Sequence, residues 1–294
     1  DGLMENADIA LYRAKDEGRN RAAHFTGDLR RAAQDRKRLA DDLLRALEAG
    51  DQIRAWYHPQ VEAEGGAVVG LETLARWHHP ERGVICPNAF LEIAEDLDLT
   101  GEIDTHILRE GVNTARWLAA RGLEMPKVSV NVSYRRLVRA DLPRELARLA
   151  PLPCRVAVEL LETINFDREG EDLLWLTDGL REQGCEIEID DFGSGHASLT
   201  TLLQLRPERI KIDRALVASV GQAHSEGATL VRAIVDMARA LGIRITAEGV
   251  ETEAQAAALR ALGCDVLQGY HIAPPLQRGP LAEWLIARRA RAAG

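Results

Sequence analysis

From Gly50 onward the chain alternates between two hydrophobic rhythms, a period of two over short runs and a period near 3.6 over longer ones. The period-two runs are Ile53–Tyr57, Val68–Leu74, Val128–Val132, Val156–Leu160, Cys185–Asp190, Arg209–Ile212, Ile243–Ala247 and Val266–Gln268. Helical stretches fall between most of them: Glu102–Ala120, Glu169–Gln183, Ser225–Leu241 and Glu253–Leu262. This order predicts an α/β chain folded as a (β/α)8 TIM-like barrel, with a doubly wound open sheet as the alternative. Upstream, Leu39, Leu43 and Leu47 recur at i+4 between charged residues and predict a helix from Asp28 to Ala49, stopped by Gly50.

Parity within the strands is the most informative signal, because successive side chains of a strand face opposite sides. Val128, Val130 and Val132 share a face, which leaves Ser129 and Asn131 on the other. By the same count Glu72, Glu159, Glu188, Asp190, Lys211, Asp213, Thr246 and Glu248 lie opposite aliphatic neighbours. One acid at a strand end is ordinarily a solvated loop entry. Six strands in parallel register with polar ends converge on the C-terminal mouth, where barrel active sites sit.

Carboxylates crowded there repel unless cations bind. Glu72, Glu159, Asp190, Asp191 and Glu248 with the amide of Asn131 form an all-oxygen donor set, which suits Mg²⁺ or Mn²⁺ better than zinc. Of the Asp190-Asp191 pair, one side chain is expected to point into the mouth while the other begins the loop containing Gly193 and Ser194. Such a pair can serve two metals in an in-line phosphoryl displacement. Lys211 is one of only four lysines against 33 arginines, and its inward position marks a need for a compact ammonium. His58, before Pro59, reads equally as a ligand contact or a turn residue.

Composition narrows the partners. The 294 residues carry a formal net charge of −9, which argues against a nucleic-acid polymer as partner. No apolar run approaches the ~18 residues of a membrane helix. The cysteines Cys86, Cys154, Cys185 and Cys264 are dispersed without a CxxC pair and read as reduced thiols of a cytoplasmic protein. P-loop, HExxH and GxSxG motifs are absent.

The segments Glu72-Thr73-Leu74-Ala75-Arg76-Trp77, Val130-Asn131-Val132-Ser133, Glu159-Leu160-Leu161-Glu162, Asp190-Asp191-Phe192-Gly193-Ser194-Gly195, Lys211-Ile212-Asp213, Ala247-Glu248-Gly249-Val250-Glu251 and Gln268-Gly269-Tyr270 resemble, in order, the signatures of the EAL domain, a bacterial cyclic di-GMP phosphodiesterase module. Residues 7–25 resemble the tail of a GGDEF (diguanylate cyclase) domain. The resemblance implies residues 1–27 as that tail, 28–50 as a linker helix and 51–294 as the barrel, with one antiparallel strand near its start. It implies metal-dependent hydrolysis of cyclic di-GMP to pGpG, a homodimer, and upstream GGDEF and sensory domains, the latter able to tether the protein to a membrane.

Carried over by position, Glu72, Asn131, Glu159 and Asp190 hold one divalent cation. Asp190, Asp191 and Glu248 hold the second. Lys211 contacts the nucleophilic water, Arg76 grips a phosphate, and His58 and Leu74 face the nucleotide. Glu162 anchors the loop after Asp191, while Gln268 and Glu251 support the floor. The chain departs from the usual pattern at His58, Thr73, Leu161, Ser194 and His196. Ca²⁺ is expected to inhibit, because it prefers longer bonds and more ligands than Mg²⁺. The competing readings are a silent cyclic di-GMP receptor and a purely structural dimerisation module.

Overall fold

The computed structural model describes residues 24–139, 141–161, 166–194, 199–221 and 226–292, with Met4, Asn6, Ala7, Ala10, Leu11 and Ala22. Most of the tail assigned to residues 1–27 lies outside these, as do Glu162 and His196.

Two compact units are formed, one from residues 1–53 and 77–99, the other from residues 54–76 and 100–294. In the first, the helix Gly27–Ala49 is capped by Thr26, whose hydroxyl accepts the Leu29 N–H, and ends at Gly50 in the left-handed region. It buries Leu39, Leu43 and Ala46 and packs on the helix Leu91–Asp96. Arg36 reaches Glu92 at 3.3 Å and Asp96 at 2.7 Å. Trp77 stands edge-on to Phe90 and donates its indole N–H to Gln52 at 3.1 Å. The helix Gly27–Ala49 therefore shares its small core with residues 77–99.

The second unit is the barrel. The barrel strands are β1 (Ile53–Glu62), β2 (Val68–His79), β4 (Lys127–Asn131), β5 (Arg155–Leu161), β6 (Glu186–Phe192), β7 (Arg209–Ile212), β8 (Arg244–Ala247) and β9 (Val266–Leu267); β3 (Gly83–Ile85), within the first unit, pairs antiparallel with Trp77–His79 at the end of β2. The order β1-β9-β8-β7-β6-β5-β4-β2 is closed by pairing of β1 with β2. All neighbours from β2 to β9 run parallel, whereas β1 is antiparallel to β9. The expected barrel with an antiparallel strand near its start is what forms.

The aliphatic parity set packs outward against the helices. Val130, Val158, Ile187, Ile210 and Ile245 meet Leu108 and Val112, Leu173 and Leu180, and Val231 and Val235 in one buried cluster. That burial is the main driving force for closure, at roughly 25 cal/mol per Å² of apolar surface. It also fixes the register and turns the polar set inward.

Candidate active site

At the C-terminal mouth of the barrel, six strands deliver their inward residues to one buried centre. Lys211 of β7 is fully buried there. Its Nζ lies 2.6 Å from Glu248 Oε1, 2.9 Å from Glu159 Oε2, 2.9 Å from Asp190 Oδ1 and 3.5 Å from Glu72 Oε1. One ammonium thus faces four carboxylates.

Glu72 is held from two further sides. Asn131 Nδ2 donates to its Oε1 at 3.2 Å, and Gln268 Nε2 donates a short bond to its Oε2. The same Gln268 amide meets His58 Nδ1 at 2.9 Å, while its Oε1 accepts from Gln60 at 2.9 Å. Gln268 is locally determined: the next residue, Gly269, has φ 154°, and a Cβ there would fall 2.2 Å from the Val250 backbone.

Asp191 joins by an irregularity. The pairing of β6 with β7 shifts register between Ile189 and Phe192, and Asp191 adopts φ 52°. The bulge brings both aspartates to the centre, although the loop begins at Asp191. Two groups with metal-ligand spacing result, Glu72–Glu159–Asp190 and Asp190–Asp191–Glu248, the ligand atoms of each lying within 4.8 Å of one another. They share Asp190.

The family model described as EAL domain matches residues 40–275. The chain belongs to the EAL domain family. It is 38% identical over 290 residues to the bifunctional diguanylate cyclase/cyclic di-GMP phosphodiesterase MucR of Pseudomonas aeruginosa, covering 97% of this chain and 41% of MucR. It is 34% identical to the cyclic di-GMP phosphodiesterase NbdA of the same organism, covering 99% of this chain and 37% of NbdA. Among solved structures, the PaMucR phosphodiesterase in complex with c-di-GMP superposes with a TM-score of 0.75 at 34% identity, covering 83% of this chain and 99% of that one. The chain therefore spans less than half the length of these curated relatives.

The electrostatics of this EAL centre follow from burial and from Lys211. Burial, with neighbouring carboxylates, pushes Glu159 and Glu248 well above the ordinary carboxylate range and raises Asp190 as well, against the pull of Lys211. Burial together with Asp190 lifts Asp191 to about 6. Burial also works to raise Glu72, but Lys211, His58, Gln268 and Asn131 together hold it below its usual value. Lys211 is displaced upward, because four carboxylates outweigh its desolvation.

The remaining expected residues are placed as follows. Leu74 and Arg76 continue the Glu72 face of β2 and are both half-buried. The Arg76 guanidinium lies 5.7 Å from the Trp56 ring centre. Thr73 is buried and faces away from the cluster, against Gly111. Asp213 caps the helix Arg214–Ala218, and its nearby negative charge helps to raise Asp191. Gly193 has φ 97° beside Leu216, and Ser194 is exposed after it. Glu251 is not brought to the floor: its side chain is exposed, and its backbone N–H donates to Gln255. Gln60 was missed; it lies two residues past His58 on β1, so parity would have found it had the strand been followed beyond Pro59.

Proposed function

We propose that this EAL domain hydrolyses one phosphodiester bond of cyclic di-GMP, releasing linear pGpG, with two divalent cations, Mg²⁺ or Mn²⁺. The observation that carries the reading is the pair of carboxylate groups sharing Asp190, in a chain whose relatives are named as cyclic di-GMP phosphodiesterases.

The donor set fits such ions. Every donor is a hard oxygen, and buried Glu159 Oε1 has no hydrogen-bond partner among the described residues. Asn131 spends its N–H on Glu72 and keeps its carbonyl oxygen for a cation. Glu72, Asn131, Glu159 and Asp190 would hold one ion, and Asp190, Asp191 and Glu248 the other. When bound, the ions supply Lewis acidity to the phosphate and acidify water.

The protein's own groups do the rest. Arg76 at the rim grips a phosphate oxygen, and His58 and Leu74 border the nucleotide. Gln268 fixes Glu72 in orientation. Lys211 holds the attacking water through Nζ. Asp191 and Glu248 flank it as acceptors for the proton the water releases. The water oxygen adds to phosphorus, the bond to the ribose oxygen breaks, and that oxygen takes a proton at the solvent-facing mouth.

In this reading the domain works as a homodimer downstream of GGDEF and sensory domains. Trp175 and Leu203, exposed by 72% and 58% on adjoining helices, offer an apolar surface for a second copy. No helix among the described residues is long and apolar enough to cross a membrane.

The test is incubation of the purified chain with cyclic di-GMP and Mg²⁺ or Mn²⁺, followed by chromatography. EDTA-sensitive pGpG is expected, as is loss of product when Ca²⁺ replaces Mg²⁺. Binding without product would overturn the hydrolase reading in favour of a receptor.

A further inference from the structure

Beneath the carboxylate centre the barrel holds a second charged layer that the proposed reaction does not use. Lys127 opens β4, Glu188 lies within β6 and Arg209 opens β7, with side chains 2%, 0% and 5% exposed. Lys127 Nζ donates a short bond to Glu188 Oε1, and Arg209 Nε lies 3.2 Å from the same oxygen. Arg209 Nη1 also donates to Thr246 Oγ1 at 3.1 Å. The layer carries two cations and one anion.

Burying three ions costs several kcal/mol each before pairing, and apolar side chains of similar volume fill such space at least as stably. Stability is thus a poor reason for the layer, and its placement points to another. The β5–β6 register sets Glu188 beside Glu159, both of them fully buried. Glu188 is one of the charges that raise Glu159, and Glu159 acts in turn on Lys127. Among the described residues, Lys127 and Lys211 lie buried inside this barrel, one in each layer.

We propose that Lys127, Glu188 and Arg209 are positioning residues that set the cation affinity of the centre above them, Glu188 deepening its negative potential while Lys127 and Arg209 moderate it and hold Glu188 in place. The inference rests on the cation-binding reading of that centre.

Opposite signs make it testable. Mn²⁺ affinity is measured by calorimetry on the purified chain without substrate, for the parent, Glu188→Gln, Lys127→Met and the double variant. Glu188→Gln is expected to weaken binding about tenfold and Lys127→Met to tighten it about tenfold, with the double variant near the parent. Packing damage would weaken both. If Lys127→Met does not fold, Arg209→Gln also removes a cation and is expected to tighten binding. Shifts in the same direction, or none, in variants with parental circular dichroism overturn the inference. A parent that takes up no Mn²⁺ overturns the cation-site reading and this inference with it.

Discussion

Asp190 and Asp191 would face opposite sides of a regular strand, yet both offer a carboxylate oxygen to the cluster that includes Glu248. The register shift of β6 and the left-handed backbone of Asp191 produce this. A non-glycine residue at φ 52° is a strained position of the kind that concentrates at functional sites. The strain brings Asp191 in beside Asp190, the residue that both carboxylate groups share.

Asp190→Asn should therefore remove more activity than loss of a residue belonging to one group. Turnover is expected to fall by about a thousandfold or more, the scale seen when one preorganised electrostatic contact at a reacting centre is lost. Product chromatography checks it, with circular dichroism showing the fold retained. Turnover within tenfold of the parent would sink the shared-ligand assignment.

Parity alone found Glu72, Asn131, Glu159, Asp190, Lys211 and Glu248, because aliphatic residues on one strand face force their neighbours to the other. It failed where the backbone leaves the regular pattern or where the strand was misjudged. The bulge at Asp191 is invisible to a period-two count. Pro59 lacks a ladder N–H and made β1 read as ending at Tyr57, although it runs to Glu62. Lys127 and Arg209 stand at strand starts, where only pairing register shows that they meet Glu188. The short helices Tyr134–Val138 and Arg214–Ala218 carry legible caps, Ser133 and Asp213, but are too short to show a period.

Lys211→Met should expose the cost of the carboxylate cluster. Removing the ammonium leaves Glu72, Glu159, Asp190 and Glu248 without their shared counter-charge, a loss of about 3–5 kcal/mol for a broken buried pair. Divalent cations should restore part of it. Thermal melting with EDTA and with Mn²⁺ tests this: the variant should gain more from Mn²⁺ than the parent does. Equal gains would show that Lys211 and the cation do not balance the same charges.

Gly269→Ala should destabilise the barrel and disturb the site together. The new Cβ would lie 2.2 Å from both N and O of Val250, whose N–H donates to the Gln268 carbonyl at 3.0 Å. A backbone clash of this kind costs about 2 kcal/mol or more. Chemical denaturation reads the stability, and a change in substrate KM reads the displacement of Gln268. A fully stable variant with unchanged KM would contradict the close approach.

The thiols should separate by accessibility. Cys86 is exposed, whereas burial pushes Cys185 and Cys264 up to about 12 and Cys154 up to about 11. Because the thiolate is the reactive form, a thiol reagent at pH 8 should titrate one cysteine promptly in the native protein and the other three only on unfolding. Cys86→Ser should abolish the fast phase. Prompt reaction of Cys185 or Cys264 would contradict their burial.

Asp104 gives a pH dependence with a definite sign. It accepts the Ser133 N–H at 3.0 Å and the Ser133 hydroxyl at 2.9 Å. Burial nevertheless outweighs these bonds and lifts its carboxyl from 3.8 to about 6. Between those values the folded chain holds a proton that the unfolded chain has lost, so this group makes stability rise as pH falls from about 6.5 to about 4. The amplitude is at most about 3 kcal/mol for a shift of this size. In Asp104→Asn the contribution vanishes, so the stability difference between parent and variant, measured by denaturation at intervals from pH 4 to 7.5, should move in the parent's favour towards low pH. A difference independent of pH would mean that Asp104 titrates alike in both states, and that its bonds to Ser133 fully offset its burial.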